Sequence, residues 1–391
     1  MKVVFVSSFF NHHQKSFCDA MYSLLGKDFA YIETTKASEE RKKLGWGISE
    51  VPEYVVPYVA LCSLKEKCQK LICDSDVVIF GSAKRELLEE RLRAKKTIFF
   101  YSERPLKGKF EWWKYPVRLF TWRKLNPQRK NIFMLCASAY TATDYGKFGL
   151  YKKRAYKWGY FPETKTYDDI NELLDSKEDA SIIWVGRFIS WKHPETAINL
   201  AKRLKQDGKK FKLNMIGIGH LEDEMKVLVE KNDLSDCVTL LGSMKPEKVR
   251  EYMEKSKIFI FTSDKGEGWG AVLNEAMNSA CACVAGSEIG SAPYLIKNGE
   301  NGYLYKNGDF EDFYFKVASL LDDEDKRKIF GKKAYTTIRD TWNAEMAAKR
   351  FLGLCENIEN KKKYNPYNDG PCSEARSIRR TEYEPQQDIK K

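Results

Sequence analysis

The residues in this chain best suited to chemistry lie in one stretch, Gly266-Glu267-Gly268-Trp269-Gly270-Ala271-Val272-Leu273-Asn274-Glu275-Ala276-Met277. It follows an apolar run, Ile258 to Phe261, that reads as a buried strand, and it opens into 271–280, which reads as a helix. A strand end, three glycines and a helix start direct backbone N–H groups toward an anionic ligand. Glu267 and Glu275 add two carboxylates that can accept from hydroxyls. Donors for anionic oxygens beside acceptors for hydroxyls suit a sugar attached to a phosphate.

Three further loops follow apolar runs in the same half of the chain. Gly186-Arg187-Phe188-Ile189-Ser190-Trp191-Lys192-His193-Pro194 comes after 181–185, and a helix is expected to begin near Pro194. Arg187 and Lys192 therefore sit at the carboxyl end of a strand, either holding a diphosphate or as solvated loop charges. Their pairing with the Glu267 loop favours the diphosphate. Gly217-Ile218-Gly219 fails as a dinucleotide fingerprint, because Glu222 stands where the third glycine belongs. It reads instead as a loop that lets the backbone approach a ligand. Gly242-Ser243-Met244-Lys245-Pro246 closes the next strand in the same way, so four strand-end loops are expected to converge on one site.

Short apolar runs separated by helical patterns position these loops. One series comprises 3–6, 76–80, 97–101 and 132–136; a second comprises 181–185, 212–216, 238–241, 258–261 and 282–285. Strands buried on both faces and joined by helices indicate parallel sheets. The fold class expected is α/β, with two Rossmann-like doubly wound parallel-sheet domains facing a cleft. The first would span 1–162, joined by a final helix at 343–358; 163–180 reads as a polar linker and 181–342 as the second domain. Residues 359–391, charged and poor in large aliphatics, are expected to be a mobile tail.

The 391 residues carry a formal charge of +12, which points to an acidic partner such as a phosphorylated substrate, anionic lipid or nucleic acid, or simply to a soluble basic surface. The ten cysteines form no zinc-like array and read as buried reduced thiols, suggesting a cytoplasmic protein. The first apolar run is too short for a signal peptide, and no run is long enough to span a membrane.

These residues carry a family resemblance. The chain resembles the retaining glycosyltransferases of family 4, which have the GT-B fold and include bacterial surface-polysaccharide enzymes. The likeness rests on Gly186-Arg187 with Lys192, on Gly217-Ile218-Gly219, on the E-x7-E spacing from Glu267 to Glu275, and on Asn298-Gly299-Glu300-Asn301-Gly302-Tyr303-Leu304. It is specific over about 181–358; earlier it is one of architecture. The resemblance implies that Arg187 and Lys192, beside Gly186, Gly217 and Gly219, bind the donor diphosphate. It implies that Glu267 and the backbone of Gly268, Trp269 and Gly270 bind the donor sugar, that Glu275 holds the ribose and that Met244 lies near the base. It also implies a nucleotide-sugar donor, UDP before GDP, with no metal or other cofactor, and transfer with retention by front-face attack. Asp74-Ser75-Asp76 has the form of a metal motif of the other glycosyltransferase fold, but it precedes a strand and is set aside.

The acceptor side departs from the family pattern. His12 and His13, after the first strand, either touch the acceptor or diphosphate or belong to a polar loop or helix cap. Glu103 either orients and deprotonates the acceptor hydroxyl or forms a salt bridge with Arg104 or another base. From Lys107 to Lys130 bases alternate with aromatics, including Trp112, Trp113 and Trp122. That segment reads as a membrane-surface element, a core-packed helix with a solvated face, or a nucleic-acid surface. The leading function is glycosyl transfer to a saccharide or lipid-linked acceptor, with the enzyme peripheral on the inner membrane face. A basic nucleic-acid-binding protein and a non-catalytic sugar-nucleotide binder of the same fold are the alternatives.

Overall fold

The computed structural model describes residues 1–36, 50–57, 62–108, 112–362 and 365–378. The chain divides into two compact units, one built from residues 1–163 and 341–377, the other on residues 164–340. In the first unit, β1 (Val3–Ser7), β2 (Phe29–Glu33), β3 (Val55–Pro57), β4 (Val77–Phe80), β5 (Thr97–Ser102), β6 (Ile132–Cys136) and β7 (Ala155–Lys157) form a sheet in the order β3-β2-β1-β4-β5-β6-β7. In the second, β8 (Ser181–Val185), β9 (Lys212–Ile216), β10 (Val238–Leu240), β11 (Ile258–Phe261), β12 (Ala282–Gly286) and β13 (Tyr303–Tyr305) lie in the order β10-β9-β8-β11-β12-β13. The ladders are parallel, and each sheet reverses its winding once, beside β1 and β4 in one unit and β8 and β11 in the other. Chains leave such a switch point in opposite directions, which opens a crevice at the carboxyl ends of the strands.

The central strands are apolar on both faces because helices cover both. All four residues of β11 are buried. The helix Pro194–Gln206 starts on its proline and buries Ala197, Ile198, Leu200, Ala201 and Leu204, spaced to keep one face inward. The helix Ala344–Glu359 begins where the Asn343 side chain accepts from the Met346 N–H at 2.8 Å. It packs on the first unit, with Phe351 5.1 Å from Phe99 and 5.8 Å from Trp158.

Two expectations need correction. Residues 365–378 are not a mobile tail. Cys372 and Ala375 are buried, and the segment runs antiparallel along β7: Cys372 N–H donates to Lys157 at 2.8 Å, Lys157 N–H to Ser373 at 2.8 Å, and Ala375 N–H to Ala155 at 2.9 Å. It closes an edge that β7, too short and basic to be read as a strand, would leave open. Residues 379–391 lie outside the described residues.

Nor is 163–180 a free linker. It contains the helix Ile170–Asp175, and Tyr167 packs against Tyr335 with ring centroids 5.6 Å apart. Lys177 is buried, its ammonium donating to the carbonyls of Met253, Glu254, Ser256 and Ser279 at 2.7–3.2 Å. Its polarity is spent on backbone carbonyls at and beyond the ends of two helices. Asp74-Ser75-Asp76 is likewise structural: the fully buried Arg91 donates to the Ser75 and Asp76 carbonyls at 2.8 and 2.7 Å.

A chain ending at residue 364 is expected to lose about 2–4 kcal/mol of stability in urea unfolding, since it forfeits the edge hydrogen bonds and the burial of Cys372 and Ala375. An unchanged midpoint would mean that the segment contributes nothing.

Candidate functional site

The loops after β8 and β11 meet at the second unit's switch point, and one hydroxyl fixes them there. Thr262, the first residue after β11, donates to the Lys192 carbonyl at 2.6 Å and accepts from the Trp184 indole N–H at 2.8 Å. Trp184 and Thr262 are both buried, so neither polar group has water as an alternative. Asp264 N–H donates to the Trp191 carbonyl at 3.0 Å, and the Asp264 carboxylate accepts from Gly266 N–H at 2.7 Å. With the backbone so held, the Lys192 ammonium pairs with the Glu267 carboxylate, both side chains only 12–13% exposed. The Ser263 hydroxyl donates to the same Glu267 oxygen at 3.1 Å.

The glycines explain how closely this loop is folded. Gly270 has φ +85°, and a Cβ there would lie 2.7 Å from the Phe261 ring. Trp269 is fully buried and donates to Asn274 at 2.9 Å, so only its backbone can face a ligand. Glu275 is half-buried and makes no side-chain hydrogen bond or ion pair among the described residues. Burial raises its pKa, opposed by the charge of Arg250. Arg187 is exposed, its guanidinium 5.6 Å from the Trp191 ring. It takes no part in the Lys192–Glu267 pair.

Gly217 and Gly219 have a packing reason for being glycine besides ligand approach. A Cβ at Gly217 would fall 1.8 Å from the Gly186 carbonyl oxygen, and one at Gly219 2.3 Å from that of Phe188. Packing between the loops after β8 and β9 is sufficient to exclude a side chain at both. Gly217 N–H then donates to the Gly242 carbonyl at 2.8 Å, tying in the loop that carries the half-buried Met244. On the other side, the Asn307 amide donates to the Ser263 carbonyl at 2.9 Å and accepts from Glu288 N–H at 2.8 Å. Gly186, Gly217, Gly219, Met244 and Glu267 thus belong to one hydrogen-bonded rim.

Sequence reasoning missed Thr262, Asp264, Asn307 and His193 as parts of that rim. His193 takes a left-handed conformation at φ +48° and bridges Glu195 at 2.8 Å and Asp264 at 3.2 Å. The hydrogen bond to Glu195 raises its pKa most, with Asp264 adding to the effect. A histidine followed by proline, with Glu195 two positions on, was the available signal. Among the described residues no group of three or more His, Cys, Asp or Glu gathers as metal ligands would, and no helix is long and apolar enough to cross a membrane.

In the first unit the three candidate acceptor residues come together around one that was not singled out, Tyr160. Asn11 caps the helix His12–Leu25 by accepting from His13 N–H at 3.0 Å, so His12 and His13 open that helix. The His13 ring stacks on Tyr160 at 5.5 Å and lies 3.9 Å from His12. The Tyr160 hydroxyl donates to Glu103 at 2.6 Å, and Lys107 donates to the other Glu103 oxygen at 2.7 Å. The salt bridge considered for Glu103, with Arg104 or another base, forms with Lys107, while Arg104 turns to the buried Asp144 at 3.5 Å and lies over Tyr140.

Burial, with the neighbouring His12, pushes the His13 pKa from 6.5 down to about 3, and burial lowers that of His12 as well. An unfolded chain takes up these protons first, so stability is lost as pH falls below about 6.5. Between pH 6.5 and 5 the loss at His13 is expected to be about 1.5–2 kcal/mol. His13→Asn should flatten the thermal-midpoint profile over that range; an unaltered profile would contradict the assignment. Separately, Thr262→Val should cost about 1–3 kcal/mol in urea unfolding by orphaning the Trp184 N–H, with Thr262→Ser recovering most of it. A valine variant as stable as the parent would show that the hydroxyl does not tie the two loops.

Two doubly wound units of this topology define the GT-B fold of glycosyltransferases. HepE of Anabaena, crystallised with UDP, superposes with a TM-score of 0.67 over 91% of this chain and 100% of its own, at 15% identity. Residues 167–337, less than half of the chain, match the family described as Glycosyl transferases group 1. Over much the same region the chain is similar to bacterial surface-polysaccharide enzymes. The amylovoran biosynthesis glycosyltransferase AmsK of Erwinia amylovora is 35% identical over 182 residues, covering 45% of this chain and 44% of AmsK. The N-acetylgalactosamine-N,N'-diacetylbacillosaminyl-diphospho-undecaprenol 4-alpha-N-acetylgalactosaminyltransferase of Campylobacter jejuni is 32% identical over 160 residues, covering 41% and 42%. The matched stretch therefore spans less than half the length of these curated relatives.

Proposed function

We propose that this protein is a retaining glycosyltransferase of family 4 that moves a sugar from a nucleotide-sugar to a hydroxyl of a saccharide or lipid-linked acceptor in polysaccharide biosynthesis. The observation that carries this reading is the Lys192–Glu267 pair on crossing loops at the switch point between β8 and β11. UDP is the favoured nucleotide, in line with the UDP bound to HepE, and GDP is next. Lys192 and Arg187 take the diphosphate, Glu267 accepts from sugar hydroxyls, and Glu275 accepts from the ribose. The rim of Gly186, Gly217, Gly219, Met244, Gly268, Trp269 and Gly270 supplies backbone contacts.

The chemistry follows from charge placement. As the bond from the sugar to the diphosphate breaks, negative charge grows on the leaving group and positive character on the sugar ring. Lys192, already held in a partly dry loop, stabilises that leaving charge without reorganising, and Arg187 adds a second cation, so no metal is required. The acceptor hydroxyl attacks from the face the diphosphate leaves, which preserves configuration. His12, His13 and Glu103 form the acceptor side, with Glu103 orienting the hydroxyl or taking its proton. An anionic membrane surface on the cytoplasmic side is the further partner.

A nucleotide-release screen with UDP-, GDP- and ADP-sugars, with and without membrane lipid extract and with chelator present, tests this. Release from one donor is expected to persist in chelator. Glu267→Ala is expected to reduce turnover about 10²–10³-fold, and Lys192→Ala by a similar factor. Undiminished turnover in the Glu267 variant would remove that residue from the site, and no release or binding for any donor would remove the function.

A further inference from the structure

We propose that the helix Tyr115–Leu125 of the first unit docks the protein on a bilayer surface rich in anionic lipid. This helix is apolar on two opposite faces. Tyr115, Leu119 and Trp122 pack inward on the core, with Tyr115 5.4 Å and Trp122 4.3 Å from the Phe148 ring. The inward face is thus fully accounted for by packing.

The outward face is largely exposed to solvent. Val117 and Phe120 are 70% and 75% exposed, and Trp113, in the turn that leads into the helix, is 60% exposed. Trp113, Val117, Phe120 and Lys124 follow the i, i+4, i+7, i+11 spacing of a single stripe along the helix. A helix that served only to cover the core would carry charge there, and an exposed apolar stripe bounded by polar residues marks an interaction surface.

Charge identifies the occupant. From Trp112 to Thr143 the sequence has six bases, Lys114, Arg118, Arg123, Lys124, Arg129 and Lys130, and no acid, with Glu111 and Asp144 at its limits. Lys114, Arg123 and Lys124 are exposed around the stripe. A bilayer satisfies both features at once: Trp113, Val117 and Phe120 enter the boundary between headgroups and acyl chains while the bases meet lipid phosphates. Nucleic acid would match the bases, but it offers nothing to Val117, which has no ring to stack. The helix follows the strand that ends at Ser102 next to Glu103, so docking would hold the acceptor-side residues of the first unit at the lipid surface. That consequence rests on the function proposed above; the docking itself does not.

Vesicle flotation of the full chain tests it, comparing phosphatidylcholine alone with an equal mixture of phosphatidylcholine and phosphatidylglycerol. The protein is expected to float only with the mixed vesicles and to be released by high salt. Replacing both Val117 and Phe120 by serine should weaken partitioning about tenfold or more. Lys114→Ala and Lys124→Ala should each weaken it about fivefold. The changed side chains are exposed, so the variants should melt with the parent, and calorimetric UDP binding should be unchanged. Loss of UDP binding in the parent would count against the proposed function and leave the docking intact. Failure to float with mixed vesicles, or flotation untouched by the paired serine substitution, overturns the proposal. Binding to a short RNA in place of vesicles would overturn it as well, by making the face a nucleic-acid surface.

Discussion

The second unit's site depends on the Thr262 hydroxyl. It is one small group, buried between a tryptophan of β8 and the carbonyl of Lys192, and it satisfies both. Without it the buried indole N–H of Trp184 would lose its partner, and the Lys192 carbonyl would lose the bond that ties it to the end of β11. Because the bond falls on the backbone of Lys192, it sets where that side chain begins. From there the ammonium meets Glu267, whose own loop is folded back by Asp264 and by a glycine packed on Phe261. The strands fix the loops, the hydroxyl fixes their separation, and the ion pair forms where the separation allows it.

Much of this was legible in the sequence, for a physical reason. Central strands of a doubly wound sheet are apolar on both faces, so runs such as Ile258 to Phe261 announce themselves, and the loops after them must lie at the carboxyl edge. Glu267, Lys192 and Gly270 could be placed that way. Thr262 could not, because a threonine after a strand has the same appearance whether its hydroxyl is solvated or buried. Tyr160 escaped notice for a related reason: its importance lies in touching both His13 and Glu103, residues more than fifty positions away in sequence. The strand pairing of 370–376 and the four carbonyls around Lys177 are also non-local. Composition alone described both segments as polar and loose.

The glycines are a case where a correct motif had an incomplete cause. Gly217 and Gly219 were read as places where the backbone meets a ligand, but the space a side chain would need is already filled by the carbonyls of Gly186 and Phe188. The two causes are compatible. Loops packed backbone to backbone form a rigid rim, and rigidity is what lets N–H groups hold an anion without moving. A pattern shared within a family can thus persist for packing while serving binding.

The Lys192–Glu267 pair bears on how such a site would meet its ligand. An ammonium at 12% exposure has already lost most of its water, and the carboxylate beside it offsets that cost in the empty site. A diphosphate arriving at Lys192 would therefore displace few waters from the cation, and it would free Glu267 to accept from hydroxyls of the attached sugar. Arg187, exposed beside Trp191, can swing in at little cost because it remains solvated until the ligand arrives. The two cations would then differ in kind, one held in place and one recruited. Substitution of the held cation should fall more heavily on turnover, whereas loss of the recruited one should fall more heavily on affinity, because only a fixed charge is already in position when the leaving group develops its own.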